Sequence, residues 1–481
     1  MYFNQRFNVS ALLMRQLGVY NGQVDKDNRM FVDPKLLVKG EDEFAGAHRD
    51  LLDYFARVIS LIRQAKSQTD KDVFWIAAQK KMRFKETSNT GLGGSEHGTD
   101  GNGIGRTLAK RIVSQAASIL PHVEYQPEML ELIGVFTEGL GCDRISDMIV
   151  SVLKPRFLAY TTRVTRQLGI QQTVSVEFDG KTYICPRFKK GEKPIILVPR
   201  RLLKPLPIAA DIGEALDMAA DLNEETRRIA NRMFDEARER GAQTPSKSEI
   251  LAFMSSRPAT YKEVIERYKR IEAVPFDFDR DPKRADFDPI AAEIVGTPIR
   301  AYTGTDSWSK VEACVNQTIE HLKQSIEDNR LSDVLFDENG KPRRELIAQR
   351  IVFSIAKIFA KLYNVDVTPE GNSGPGAVDF KFSIGNSAKL LIETKLSTHE
   401  RLKDGYYLQL PAYAKAEGIK TRGRTDESKQ LVLLILRVTE DDRHIKALAT
   451  EIRKHALHIN VVVIDVVRKP SASKRRAQAA D

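Results

Sequence analysis

From Val378 to Ile384 apolar and polar residues alternate without interruption (VDFKFSI), and after Gly385, Asn386 and Ser387 a second run extends from Lys389 to Leu396. Strict alternation has the period of a β-strand and cannot be satisfied by a helix. Val378, Phe380, Phe382 and Ile384 therefore share one face, while Asp379, Lys381 and Ser383 share the other and point away from the core. The Gly-Asn-Ser segment reverses the chain. On the returning strand Leu391, Glu393 and Lys395 fall on one face. If the loop is the three residues Gly385 to Ser387, Ile384 pairs with Ala388, and Asp379 then lies directly opposite Glu393.

Two carboxylates in that relation stand roughly 5 Å apart at Cβ and destabilise an ordinary sheet, so the pairing makes sense with a cation between them. Mg²⁺ suits the site, being a hard ion usually held by one or two carboxylates, several waters and a substrate phosphate; Mn²⁺ fits the same oxygens. The Thr394 carbonyl is a further ligand candidate. Lys395, on the face of Glu393, is placed to orient or help deprotonate a metal-bound water that attacks a phosphodiester. A second Glu-x-Lys, Glu427 to Lys429, sits in a polar stretch with no Asp on a preceding paired strand, and is read as coincidence.

The flanking segments extend the pattern. KPRRELIAQRIVFSIAKIFAKLY reads as a helix with Ile347, Ile351, Ile355, Ile358 and Leu362 on an apolar stripe and Glu345 and Gln349 one turn apart; TPEGNSGPG follows it. After the hairpin, GYYLQLPAYAKAEG is a predicted helix carrying Gln409 and Tyr413 at i, i+4, and LVLLILRV is an apolar strand. The order helix, strand, strand, helix, strand, with Asp then Glu-x-Lys, resembles the PD-(D/E)xK nuclease superfamily, and the Gln-x-x-x-Tyr pair resembles its RecB-like branch. Val378 stands where the superfamily name has Pro. The run from Glu345 to Gln409 is similar to nuclease modules of bacterial anti-phage defence proteins. The resemblance implies a restriction-endonuclease-like α/β domain, Mg²⁺-dependent hydrolysis of nucleic acid with DNA favoured, and Asp379, Glu393, Lys395 and Gln409 as catalytic residues. It adds Glu345 to the metal set of Asp379, Glu393 and Thr394, and Tyr413 to the residues that touch nucleic acid. Recombination or repair would use the same site, and a binding scaffold on an inactive nuclease fold is the reading from another class.

At 481 residues the chain is too long for one core. The expected organisation is a mixed, mainly helical domain over 1–240, a helical connecting region over 241–335, the nuclease domain over 336–470 and a basic, disordered tail over 471–481. VPFDFDRDPKRADFDP is read as an extended boundary segment whose Asp277, Asp279 and Asp281 could attract a cation. The three cysteines, Cys142, Cys185 and Cys314, are widely separated and define neither a disulfide framework nor a zinc site. No apolar run has the length of a membrane span, so no membrane role and a reducing cytoplasm are expected.

Upstream, amphipathic helices are predicted over Glu43 to Lys66 and Arg106 to Leu120, and VSVEF and KTYIC form a hairpin through Asp179 and Gly180. The glycine-dense stretch before Arg106 is read as a surface loop; Gly101, Gly103 and Gly105 offer backbone to a phosphate only as a second reading, and His97 is read as solvated. Asp143, Arg144 and Asp147 read as ordinary helix-start chemistry. The net charge of +10 is compatible with a polyanionic partner. Its densest internal concentration includes Arg187, Lys189, Lys190, Lys193, Arg200 and Arg201, expected either to contact phosphates without sequence preference or to form a solvated face. The N-terminal region is also the expected seat of a protein partner or regulator.

Overall fold

In the computed structural model the described residues are 1–467, apart from 25–29, 85–91, 93–102, 124, 138–139, 190, 206–248, 250–251, 253–254, 281–286, 297–305, 329–330, 338–339, 373–376, 386–387, 420–429 and 456. His97, Gly101, Lys190, Asp281, Glu427 to Lys429, residues 211–240 of the expected helical domain and the basic tail all lie outside them. The chain divides into two compact units, Met1–Phe276 and Asp277–Asp481. The division falls within the segment read as a boundary. The second unit starts well before the expected nuclease boundary, and the region expected to connect the two is split: its helix over Ala259–Arg270 belongs to the first unit, and its helices over Phe287–Val295 and Ser307–Asp328 to the second.

The first unit is mixed α and β. Helix α1 (Ala47–Gln64) buries Leu51, Phe55, Val58, Ile59 and Ile62 along one stripe, and α2 (Arg106–Ile119) buries Ile112, Val113 and Ala116. Burying each large apolar side chain stabilises the unit by about 1.5–3 kcal/mol. Strands β1 (Phe31–Val32) and β4 (Leu203–Lys204) pair antiparallel, as do β2 (Thr173–Phe178) and β3 (Lys181–Pro186). Asp179 and Gly180 join the second pair with φ of 50° and 72°. Two left-handed residues match the right-handed twist of the flanking strands, which is why Asp-Gly is favoured there. Helix α3 (Ala259–Arg270) buries Tyr261, Val264, Ile265 and Tyr268.

The second unit is built on a five-stranded mixed sheet of order β5-β6-β7-β8-β9, comprising β5 (Asp366–Asn372), β6 (Ala377–Ile384), β7 (Ala388–Leu396), β8 (Leu431–Arg437) and β9 (Asn460–Asp465). β5, β6 and β7 are antiparallel neighbours, whereas β7, β8 and β9 run parallel. Helices α4 (Phe287–Val295), α5 (Ser307–Asp328) and α6 (Glu345–Tyr363) pack together. Phe353 of α6 stacks on Phe380 of β6 with ring centroids 6.0 Å apart. On the opposite face Leu391, Leu433 and Ile435 bury against Tyr406, Leu410, Tyr413 and Leu448, carried by the segment around α7 (Leu410–Ala416) and by α8 (Arg443–His455). A parallel sheet covered on both faces explains why LVLLILR is continuously apolar and buried through Leu436.

Two expectations are corrected. The expected order helix, strand, strand omits a strand: Thr368 to Asn372 lie in β5, which comes before the hairpin and pairs with β6 from Asp366↔Ser383 to Asn372↔Ala377. Pro369 and Gly371 hide a strand in the sequence, and the fold tolerates them because β5 is at the sheet edge. Asp379 also does not face away from the interior. Every residue of β7 from Leu390 to Leu396 is buried, so the polar face of the hairpin is covered as well.

Asp277 and Asp279 are engaged by cations, with Arg344 Nη2 2.6 Å from Asp277 Oδ2 and Arg343 Nη1 3.7 Å from Asp279 Oδ2. Cys185 and Cys314 are buried free thiols. No helix among the described residues is long and apolar enough to cross a membrane.

Candidate active site

The hairpin register is the one the three-residue loop requires, running from Ile384↔Ala388 to Phe380↔Ile392. One step further the same register sets Asp379 across from Glu393. There the regular ladder gives way to a side chain, because Asp379 Oδ2 accepts the Thr394 backbone N–H at 2.7 Å. The other oxygen of Asp379 accepts from Gln349 Nε2 at 2.9 Å. Both bonds fix the carboxylate rigidly.

Glu393 and Lys395 are 2% and 6% exposed. Lys395 Nζ donates to Glu393 Oε1 at 2.7 Å and to Glu345 Oε1 at 3.3 Å. Glu345 Oε2 accepts the Leu396 backbone N–H at 3.2 Å, which ties the first turn of α6 to the end of β7. Glu345 and Gln349, one helical turn apart, thus meet the two ends of the constellation: one holds Lys395 and the other holds Asp379. Gln349 is the residue that sequence reasoning missed. Its signal was present in the shared face with Glu345.

The helix after β7 contains a π-helical segment, Gly405–Gln409, ahead of α7. A π-turn rotates the following residues away from their α-helical direction and is frequent at functional sites. A side chain at Gly405 would meet Leu433 Cδ1 at 3.2 Å, with Gln409 Oε1 at 3.7 Å and Lys395 Cγ at 3.8 Å. The tight approach is to the Leu433 side chain, which a Cβ would push by a few tenths of an ångström, while the lysine stem would be in ordinary contact. Gln409 Oε1 is buried without a hydrogen-bond partner, as are Glu393 Oε2 and Thr394 Oγ1. Tyr413, expected to touch nucleic acid, is 7% exposed and packs in the apolar cluster behind the strand face. Its hydroxyl is raised above its ordinary value by burial and by the Glu393 charge.

Three carboxylates against one ammonium make the site electrically unbalanced. Burial, followed by repulsion from Glu393, raises the Asp379 carboxyl to about 8 despite Lys395 and the Thr394 N–H. Burial likewise raises Glu393, against the pull of Lys395. For Lys395 burial acts downward, but Glu393, Glu345 and Asp379 outweigh it and hold the ammonium above its usual value. Among the described residues no group of three or more His, Cys, Asp or Glu forms a ready metal cage. The donor chemistry nevertheless fits a hard divalent ion bound by two carboxylates and water. A buried, unpartnered carboxylate oxygen at Glu393 and a proton-retaining Asp379 are what such an ion would relieve.

The basic stretch of the first unit is partly consumed internally. Arg201 Nη1 lies 2.6 Å from Glu41 Oε2 and its Nη2 3.7 Å from Asp42 Oδ2. Lys204 Nζ is 3.7 Å from the buried Asp33, and Lys189 Nζ sits 5.9 Å over the Phe188 ring. Arg187, Lys193 and Arg200 belong to the same stretch, which is in a different unit from Asp379 and Glu393. Gly105 is the N-cap of α2 in extended conformation, with no side-chain cap.

Two families match parts of the chain: a domain of unknown function (DUF8370) over residues 8–211 and a domain of unknown function (DUF8371) over residues 311–423. The second span contains Glu345, Gln349, Asp379, Glu393, Lys395 and Gln409. No curated protein and no solved structure matches the chain.

Proposed function

We propose that the C-terminal unit is a metal-dependent nuclease of the PD-(D/E)xK superfamily with a restriction-endonuclease-like core. The observation that carries this reading is the buried Asp379–Glu393–Lys395 cluster, with an excess of negative charge and an unpartnered Glu393 oxygen. An antiparallel hairpin continued by parallel strands, with helices on both faces, supports the same reading.

Asp379, Glu393 and the Thr394 carbonyl are the residues that would hold Mg²⁺ or Mn²⁺. The ion would polarise a phosphodiester and lower the pKa of water beside it. Lys395 is kept protonated by its three carboxylates, so it stabilises negative charge on the phosphate and orients water rather than accepting a proton. Glu345 fixes the Lys395 ammonium, and Gln349 fixes the Asp379 carboxylate. Gln409 Oε1 presents an acceptor to water on the lysine side. Attack of water oxygen on phosphorus forms one P–O bond and breaks another; the attacking water gives up a proton through solvent and the departing oxygen takes one up, leaving a phosphate monoester and a free hydroxyl. DNA is the favoured substrate and anti-phage defence the favoured setting, both resting on the resemblance of the Glu345 to Gln409 stretch.

Incubating the full chain with supercoiled plasmid, linear duplex and single-stranded RNA, with Mg²⁺ or with EDTA, tests this reading. Mg²⁺-dependent breakage of DNA that EDTA abolishes is expected. Three intact substrates at high enzyme concentration would overturn it.

A further inference from the structure

The first unit contains a cavity of 390 Å³ between the segment Lys35 to Lys39 and the end of α3, with Arg201 on its wall. Its size is that of a small-molecule site. Five cations line it, Lys35, Lys39, Arg201, Lys269 and Arg270, against a single acid, Glu272. Three of the five are answered by carboxylates: Lys39 pairs with Glu272, Arg201 with Glu41, and Lys269 lies 3.6 Å from Glu266. The other two have no acidic partner among the described residues. Lys35 Nζ donates to the Lys269 carbonyl at 3.2 Å and lies 5.1 Å from the Tyr268 ring centroid, a geometry that holds the ammonium without neutralising it. Arg270 ends α3 exposed, with a guanidinium suited to bidentate contact with phosphate.

The remaining wall is apolar. Leu36, Ile271, Ala273 and Pro275 contribute to it, and Leu36 is buried at 7% exposure. A purely inorganic anion would leave that surface uncovered, whereas a ligand with an anionic end and an uncharged body would match both parts.

We propose that this cavity binds a phosphorylated small molecule of nucleotide size, its phosphates between Lys35 and Arg270 and its body against the apolar wall. The site lies within the first unit and does not depend on the nuclease reading. Binding would weaken with salt, since the cations are partly exposed.

The test is calorimetric titration of ATP into the full chain in EDTA, which keeps divalent metal away from Asp379 and Glu393. One-to-one binding is expected. Arg270→Gln, an exposed change that leaves the fold intact, should weaken it about tenfold, as should Lys35→Gln, by loss of one charge-assisted contact each. Asp379→Asn should leave it unchanged. Pyrophosphate should bind more weakly than ATP, and adenosine should give no heat. Absence of heat with ATP at millimolar concentration, or identical affinity in wild type and Arg270→Gln, would overturn the proposal. So would displacement of ATP by a short DNA single strand with unchanged salt dependence, which would make these cations a backbone-binding surface instead.

Discussion

Replacing Asp379 with Asn should stabilise the metal-free protein while removing its activity. The carboxyl is raised from 3.8 to about 8 by burial and by Glu393, so the folded state keeps a proton that the unfolded chain releases. Stability of the metal-free wild type therefore falls as pH rises from about 4 to about 8. Each pH unit across that window is worth about 1.4 kcal/mol, which sets a ceiling of about 6 kcal/mol for the whole of it. Local relaxation around a partly buried group returns some of this, leaving an expected gain of about 2–4 kcal/mol at pH 8. For a unit of 150–250 residues that is a rise of about 4–16 °C in Tm. Asn keeps both hydrogen bonds: its Oδ1 accepts the Thr394 N–H, and Gln349 meets its amide by turning over. Scanning calorimetry of both proteins in EDTA from pH 4 to pH 9 should show the gain growing with pH and vanishing near pH 4. Added Mg²⁺ should then stabilise wild type and leave Asp379→Asn unmoved. Parallel pH curves, or a lower Tm for the variant at pH 8, would refute the reasoning.

Lys395→Ala should lower turnover by about 10²–10³-fold and destabilise the chain by about 3 kcal/mol, because Glu393 and Glu345 lose their shared cation. Adding Glu393→Gln to a Lys395→Met chain should recover most of that stability and none of the cleavage, as read by denaturant midpoints and a plasmid assay; additive destabilisation would show the pair is uncoupled. Gln349→Ala should reduce the cleavage rate about tenfold with little change in substrate affinity, whereas Gln349→Glu should lose more by repelling Asp379; equal effects would deny Gln349 its positioning role. Neutralising Lys189 and Lys193 together should make log affinity against log salt shallower by about 0.9 per lost phosphate contact on duplex DNA, and an unchanged slope would make the stretch a solvated face.

Local pattern fixed more of the second unit than of the first. Alternation through Val378 to Ile384 and the short Gly385 turn sufficed to set the register that brings Asp379 to Glu393, because a one-residue slip would turn every side chain over. The apolar period likewise revealed the helix that carries Glu345. What stayed hidden depended on long-range contacts. Strand β5 carries Pro369 and Gly371, whose poor strand propensity is overridden only by its place at the sheet edge. The Lys395 contact with Glu345 joins residues 50 apart in sequence, and Gln349 reaches Asp379 across 30. The π-turn at Gly405–Gln409 has no signature in periodicity, and shows itself only through the close approach that Gly405 permits. In the basic stretch, charge density was legible but its neutralisation by Glu41, Asp42 and Asp33 was not.

In the proposed function Glu393 and Asp379 hold a divalent ion that drives phosphodiester cleavage. Titrating Mn²⁺ into wild type and into Glu393→Gln, while following calorimetric heat and plasmid cleavage in the same samples, tests it most directly. Wild type should bind the ion and cut in proportion to its occupancy; Glu393→Gln should bind about tenfold or more weakly and show no cleavage above background. Cleavage by Glu393→Gln at the wild-type rate would contradict the account.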